Sequence, residues 1–241
     1  MPGAPLASLY TNGAYEAADA SHTDFTRGGY NGQKRCEEAD MGAKRNIVFD
    51  MGNVLMTFDG REFARVFTNS EEDAQALYEG FFGRSEWALL DSGTIDHATM
   101  MRVAEAHTPE RLLPNLHECF DHWPEHSRVI EGTNDLALRL HATGWGVYVL
   151  SNANDRIEQQ LSQAPAFDIL DGLVVSARER LMKPDPAIFR VLCERYDLDP
   201  ASCVFVDDNL DNCAGARVAG LDAFHFTGDT TELEAYLGTL A

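Results

Sequence analysis

The stretch Asn46-Ile47-Val48-Phe49-Asp50-Met51-Gly52-Asn53-Val54-Leu55 decides the fold. Ile47, Val48 and Phe49 form an unbroken apolar run that ends in a carboxylate, and Gly52 follows shortly after. Such a run is short and lacks polar alternation, so it reads as a strand buried on both faces. The pattern recurs downstream as Val147-Tyr148-Val149-Leu150 before Ser151, Leu173-Val174-Val175 before Ser176, and Val204-Phe205-Val206 before Asp207.

Helical periodicities separate these runs. Val129, Ile130, Thr133, Ala137 and Leu140 recur at helical spacing and are closed by Gly144. Ile188, Phe189, Leu192 and Tyr196 follow Asp185 as N-cap and Pro186 at the first helical position. Alternating strands and helices predict an α/β fold with a doubly wound parallel sheet, a Rossmann-like core supplied by residues 45–59 and 127–241.

Residues 60–126 interrupt the alternation. They carry Phe63, Val66, Phe67, Leu77, Phe81, Phe82, Trp87, Leu89 and Leu90 in helical patterns without a convincing strand, and are expected to form a small α-helical cap inserted after the first strand. Residues 1–44 hold only Leu6 and Leu9 as branched aliphatics, with frequent Gly, Ala, Ser, Asp and Asn. That composition buries too little to offset its ordering entropy, so a disordered N-terminal tail is expected, with Met41 as the natural start of the compact chain.

With 39 acidic against 19 basic side chains the formal net charge is −20, spread along the chain. Nucleic acid and anionic membrane are excluded as expected partners, because most of the surface would repel them. Cys36, Cys119, Cys193, Cys203 and Cys213 are odd in number and scattered, as expected of reduced thiols in a cytoplasmic protein. No run approaches the ~18 apolar residues of a membrane span, and the N-terminus lacks the basic and apolar regions of a secretory signal.

Ligands of parallel sheets bind beyond the carboxyl ends of the strands, and here those ends carry Asp50, Ser151 and Asp207-Asp208. Taken singly, each has an ordinary reading. An Asp after a strand forms turns, Ser-Asn caps a helix, and Lys183 can be a solvated surface group. Together they describe an anion site. The turn after Asp50 leaves backbone N–H groups for a phosphate with Asp50 in line for attack, and Ser151 and Asn152 offer a hydroxyl, an amide and free N–H groups. Lys183 stands in an extended segment fixed by Pro184 and can supply the local positive charge an acidic protein lacks. Hard oxygen ligands at Asp207 and Asp208 suit Mg²⁺.

In this order the motifs FDxGNV (Phe49–Val54), LSN (Leu150–Asn152), KP (Lys183-Pro184) and FxDDNxDN (Phe205–Asn212) resemble the haloacid dehalogenase-like (HAD) hydrolase superfamily over residues 46–228. The similarity is greatest to subfamily I members with a helical cap, in the branch of glucose-1-phosphatase-like sugar-phosphate phosphatases. The resemblance implies that Asp50 is the nucleophile, that Asp50, Asp208 and the Gly52 carbonyl hold Mg²⁺, that Ser151 and Asn152 bind the phosphoryl group, and that Lys183 links phosphate to nucleophile. Asp207 is implied either as a further ligand or as support behind the ligands. The implied reaction is hydrolysis of a small phosphorylated metabolite, such as glucose 1-phosphate, through an aspartyl-phosphate.

One position departs from the pattern. Many phosphatases of the superfamily carry a second Asp two residues after the nucleophile as general acid and base, and here that position is Gly52. Proton transfer to the leaving group is then unassisted, or another residue, with Asp59 as the candidate, supplies it. Two alternatives stay open: a dehalogenase using the same Asp on carbon without metal, and a non-catalytic phosphate-binding protein. Dehalogenases typically place an aromatic residue at the position of Gly52 and have no use for paired Asp207-Asp208, and a binding protein needs no nucleophile.

His107, His117, His122 and His126 crowd the insert, but Pro124 breaks the helix that would align His122 with His126, so no zinc site is expected. Phe81, Phe82 and Trp87 are expected in the core of the cap, with one of them a candidate to face the substrate. Removing residues 1–40 is expected to leave activity and melting temperature nearly unchanged, as measured by thermal melts and phosphatase assays of the truncated chain.

Overall fold

The computed structural model describes residues 45–240; the tail expected over 1–44, with Cys36 and Met41, lies outside them. Five parallel strands form one sheet in the order β3-β2-β1-β4-β5: β1 (Asn46–Phe49), β2 (Gly146–Ser151), β3 (Gly172–Val175), β4 (Cys203–Asp207) and β5 (Asp222–His225). The register sets Phe49 beside Val149 on one side and Val206 on the other, so β1 is central and its end meets the ends of β2 and β4. After β1 the order runs outward in both directions, which opens the crevice where such sheets bind ligands.

The two faces of the sheet are covered by different helices. Ile47, Phe49, Val147 and Val149 point into a core with Leu136 and Ala137 of α6 (Glu131–Ala142) and Leu233 and Leu237 of α11 (Thr230–Gly238). Val48, Tyr148, Leu150 and Phe205 point the other way, onto Ile188, Phe189 and Leu192 of α9 (Pro186–Tyr196) and Cys213 and Ala216 of α10 (Leu210–Val218). Alternate residues of one strand thus serve two cores, which is why the strands read as continuous apolar runs.

Two sequence expectations differ locally. β5 was not among the runs singled out, because this edge strand carries only Ala223 and Phe224 as apolar residues and Asp222 is exposed. Helix α6 starts at Glu131 rather than Val129: Val129 forms an antiparallel bridge with Met56, and Ile130 N–H donates to Leu55 at 2.9 Å. The two chain passages between sheet and insert are thereby tied side by side, with Thr57 N–H donating to the Arg128 carbonyl at 2.8 Å.

Between β1 and β2 the chain forms α1 (Gly60–Val66), α2 (Glu71–Gly80), α3 (Ser85–Asp91), α4 (His97–His107) and α5 (Leu113–His122), with 3₁₀ turns at Glu110–Leu112 and Trp123–His126. Phe63, Leu77, Phe81, Phe82, Met100, Leu116 and Trp123 bury one another in a separate core. Short helices α7 (Ile157–Leu161) and α8 (Ser176–Glu179) follow β2 and β3. The cysteines among the described residues, Cys119, Cys193, Cys203 and Cys213, are free and buried, and no described helix is long and apolar enough to cross a membrane.

Gly215 of α10 fixes where the Lys183 segment lies. A Cβ there would stand 2.1 Å from the Pro184 carbonyl oxygen, so the helix rests directly on that backbone. Gly215→Ala is expected to lower stability by about 1–3 kcal/mol through overpacking, read by urea unfolding, and to lower activity as the segment bearing Lys183 is displaced.

Candidate functional site

The carboxyl ends of β1, β2 and β4 converge on one ammonium group. Lys183 Nζ lies 2.8 Å from Asp50 Oδ1 and 2.7 Å from Asp207 Oδ2, and donates to the Leu150 carbonyl at 3.1 Å. Its side chain is fully buried. An ammonium there is tolerable only because two carboxylates and a carbonyl replace its water. Burial disfavours its charge, but Asp50 and Asp207 outweigh that and hold the Lys183 pKa above its ordinary value.

Asp50 follows β1 directly, and Met51 N–H donates to its Oδ1 at 2.7 Å. Burial lifts its pKa from 3.8 to about 6, against the stabilising pull of Lys183 and with a further push from Asp207. Ser151 ends β2, and its hydroxyl helps hold the Asp50 pKa down. The Asn152 side chain is taken up elsewhere: its Nδ2 donates to the Lys183 carbonyl at 2.9 Å and its Oδ1 accepts from Lys183 N–H at 2.8 Å. Asn152 therefore positions Lys183, and anything it offers an anion comes from its main chain.

The adjacent Asp207 and Asp208 differ sharply. Asp207 is fully buried, and its oxygens already accept from Lys183 Nζ, Asn209 N–H at 2.8 Å and Asn212 Nδ2 at 3.0 and 3.1 Å. Asp208 is exposed, and its carboxylate accepts from Asn53 Nδ2 at 3.2 Å. Ligand atoms of Asp50, Asp207 and Asp208 lie within 4.8 Å of one another, the one grouping of metal-ligating side chains found among the described residues. Three carboxylates face a single ammonium, an arrangement that a divalent cation relieves. Asp207 has its lone pairs occupied, which leaves Asp50 and Asp208 as the carboxylates with free acceptor capacity. Gly52 bridges Met56 through Met51 O and Asn53 N–H, so its own carbonyl is left out of that pairing.

Gly52 itself is not required by backbone geometry. It lacks the positive φ of its neighbour Asn53 (φ 55°), and a Cβ on it would meet only Phe58 Cβ at 3.7 Å. Asp59, the sequence candidate for its missing carboxylate, is exposed and caps α1 by accepting from Arg61 N–H at 2.8 Å and Glu62 N–H at 3.3 Å. The insert histidines do not assemble: His122 pairs with Glu125, His117 with Glu105, and His126 packs edge-on against Phe67.

Over Asp50 opens a cavity of about 170 Å³, smaller than the ~300–1,000 Å³ of drug-sized ligand pockets. The sheet loops line it with Asp50, Gly52, Asn53, Ser151, Asn152 and Asp208, which form its floor, and the chain entering and forming the insert lines it with Phe58, Trp87, Trp123 and Asp91. Of the aromatic residues singled out in the insert, Trp87 reaches the cavity whereas Phe81 and Phe82 are buried beneath. Phe58, Trp123 and Asp91 carry no motif and became visible only when the chain folded. The rings of Phe58, Trp87 and Trp123 lie 5.5–5.8 Å apart, in contact with one another. They form an apolar aromatic wall.

A family model for haloacid dehalogenase-like hydrolases matches residues 44–220, and the chain belongs to that family. The sesquiterpene phosphatase astK of Aspergillus oryzae is 31% identical over 93 residues, 38% of this chain and 47% of that protein. The (S)-2-haloacid dehalogenase 4A of Burkholderia cepacia is 32% identical over 85 residues, 35% of this chain and 37% of that one. The chain spans less than half the length of these curated relatives. A HAD family enzyme of Bacteroides thetaiotaomicron, solved with magnesium and inorganic phosphate, shares the fold with a TM-score of 0.62 at 21% identity, over 78% of this chain and 98% of that one.

The raised pKa of Asp50 has a consequence for the metal-free protein. A folded-state value of about 6 against 3.8 means the native state binds more protons in that interval, so stability falls as pH rises through it. Asp50→Asn, which mimics the protonated form, is expected to raise the melting temperature in EDTA above about pH 6, with the gain shrinking toward pH 4; differential scanning calorimetry across pH checks it.

Proposed function

We propose that this haloacid dehalogenase-like hydrolase is a Mg²⁺-dependent phosphatase acting on a small phosphate monoester through an aspartyl-phosphate on Asp50. The observation that carries the reading is the set of three carboxylates around Lys183. Asp208 lies beside Asp50 with free lone pairs and only one ammonium nearby, a donor set made for a hard dication and without purpose in metal-free attack on carbon. Asp50, Asp208 and the Gly52 carbonyl would hold Mg²⁺. When bound, the ion supplies positive charge to the phosphoryl oxygens.

The chain's own residues do the rest. Asp50 attacks phosphorus in line, and Lys183 at 2.8 Å holds its carboxylate in place and neutralises charge on the transferring group. The Ser151 hydroxyl and the main chain at Asn152 receive a phosphoryl oxygen. Asp207 receives no substrate; it fixes the Lys183 ammonium. The cavity size and the apolar wall favour a compact leaving group with a non-polar face, and the branch resembling glucose-1-phosphatase fits a small sugar phosphate by its size.

The test is hydrolysis of para-nitrophenyl phosphate. Activity is expected with Mg²⁺, to vanish in EDTA, and to fall below detection in Asp50→Asn, whose amide cannot attack. Halide release from a 2-haloacid without metal, in place of phosphate release, would assign the site to dehalogenation.

A further inference from the structure

We propose that Asp91 is the general acid and base of this site, donating a proton to the leaving oxygen and later taking one from the attacking water; this rests on the phosphatase reading. With Gly52 in place of the second carboxylate, the other acids near the cavity have other work. Asp50 is the nucleophile, Asp207 is saturated by Lys183, Asn209 and Asn212, Asp208 faces the metal position, and Asp59 caps α1 in solvent. Asp91 is the remaining carboxyl lining the cavity among the described residues.

It is also held rigidly. Asp91 ends α3, and its carbonyl accepts from Ser176 Oγ at 2.5 Å, an oxygen that in turn accepts from Ala153 N–H at 2.9 Å. The turn behind it is pressed on the core, since a Cβ at Gly93 would lie 2.2 Å from the Ala177 carbonyl oxygen. Asn154 Oδ1 accepts from Arg156 N–H at 3.1 Å, which orients the amide so that Nδ2 donates to Asp91 Oδ1 at 3.1 Å. Asn154 thereby fixes one carboxyl oxygen as an acceptor.

Asp91 is only 9% exposed, and among the described residues no cation pairs with it. Burial raises its pKa to about 7, with hydrogen bonds from Asn154 and Trp87 offsetting only part of that. It lines the same cavity as Asp50 and Asp208. The neighbouring hollow that shares Asn154 is bordered by Asp96, His97, Asp155, Arg178 and Arg180.

The steps balance. Asp50 bonds to phosphorus while the ester P–O bond breaks; that electron pair stays on the leaving oxygen, which takes the Asp91 proton and departs as the alcohol. The Asp91 carboxylate then takes a proton from water as the water oxygen bonds to phosphorus. The P–O bond to Asp50 breaks, its electron pair returns to the Asp50 carboxylate, and phosphate and a protonated Asp91 remain.

The experiment compares wild type and Asp91→Asn on para-nitrophenyl phosphate and on glycerol phosphate, with Mg²⁺, across pH. Loss of an acid is typically worth ~10²–10⁴-fold where the leaving group needs a proton. The expected result is a loss of about 100-fold or more on glycerol phosphate and less than about 10-fold on the aryl ester. The decline of the wild-type glycerol phosphate rate above about pH 7 disappears in the variant. Gly52→Asp placed in the Asp91→Asn background is expected to recover part of the glycerol phosphate rate. Equal losses on both esters with an unchanged pH profile overturn the inference and leave the phosphatase reading intact. Should Asp91→Asn not fold, the wild type alone decides: a glycerol phosphate rate within about 100-fold of the aryl rate supports an acid, and a steeper gap overturns it. A wild type inactive on every ester overturns both readings.

Discussion

The Lys183 ammonium, buried between Asp50 and Asp207, is the constraint on which the rest of the site depends. A lysine can stay charged inside a protein only where partners replace its hydration, and those partners come from strands far apart in sequence. β1 delivers Asp50, β4 delivers Asp207 and β2 delivers the Leu150 carbonyl, which requires the order β2-β1-β4 in the sheet. The segment carrying Lys183 is held in turn by Asn152 from one side and by the close approach of Gly215 from the other. Sheet topology and site chemistry are therefore one requirement seen at two scales.

The electrostatics of the site run against those of the molecule. A chain of net charge −20 repels anions at long range, yet under the proposed function the cavity floor has to receive one. The single ammonium is already shared by two carboxylates, so under the proposed function further positive charge would enter with an ion, and Asp50 and Asp208 are the side chains with acceptor capacity to hold it. Burial lifts the Asp50 pKa even with Lys183 in contact, and the nearby Asp207 carboxylate adds to the rise.

The insert closes the cavity with two kinds of surface. Its aromatic wall offers dispersion, while Asp91 offers a carboxyl whose pKa burial raises to about 7, so that it stays protonated well above the usual carboxylate range. The same residue joins insert and sheet through Ser176 and Asn154, so the position of the lid and the position of the carboxyl are set by the same contacts. Proton transfer assigned to a residue of the insert would couple closure to chemistry.

The sequence by itself determined the parallel core and the residues of the cavity floor, because both are local signals. A buried strand announces itself as a short apolar run, and Asp50, Ser151 and Asp207 stand where those runs stop. Capping of α9 by Asp185 and Pro186 was legible for the same reason. Tertiary structure decided what local pattern cannot carry. It tied the Asn152 side chain to Lys183, separated Asp207 from Asp208 by their hydrogen-bond partners, gave Asp59 a helix to cap, and moved Val129 and Ile130 out of α6 into pairing with the chain after β1. Edge strand β5 has too few apolar residues to signal its partner, and Asp91, Phe58 and Trp123 have no motif because their meaning lies in what they face across a fold. Which lone pairs are free, and which carboxyl is dry, depends on neighbours distant in the chain, and only packing brings those neighbours together.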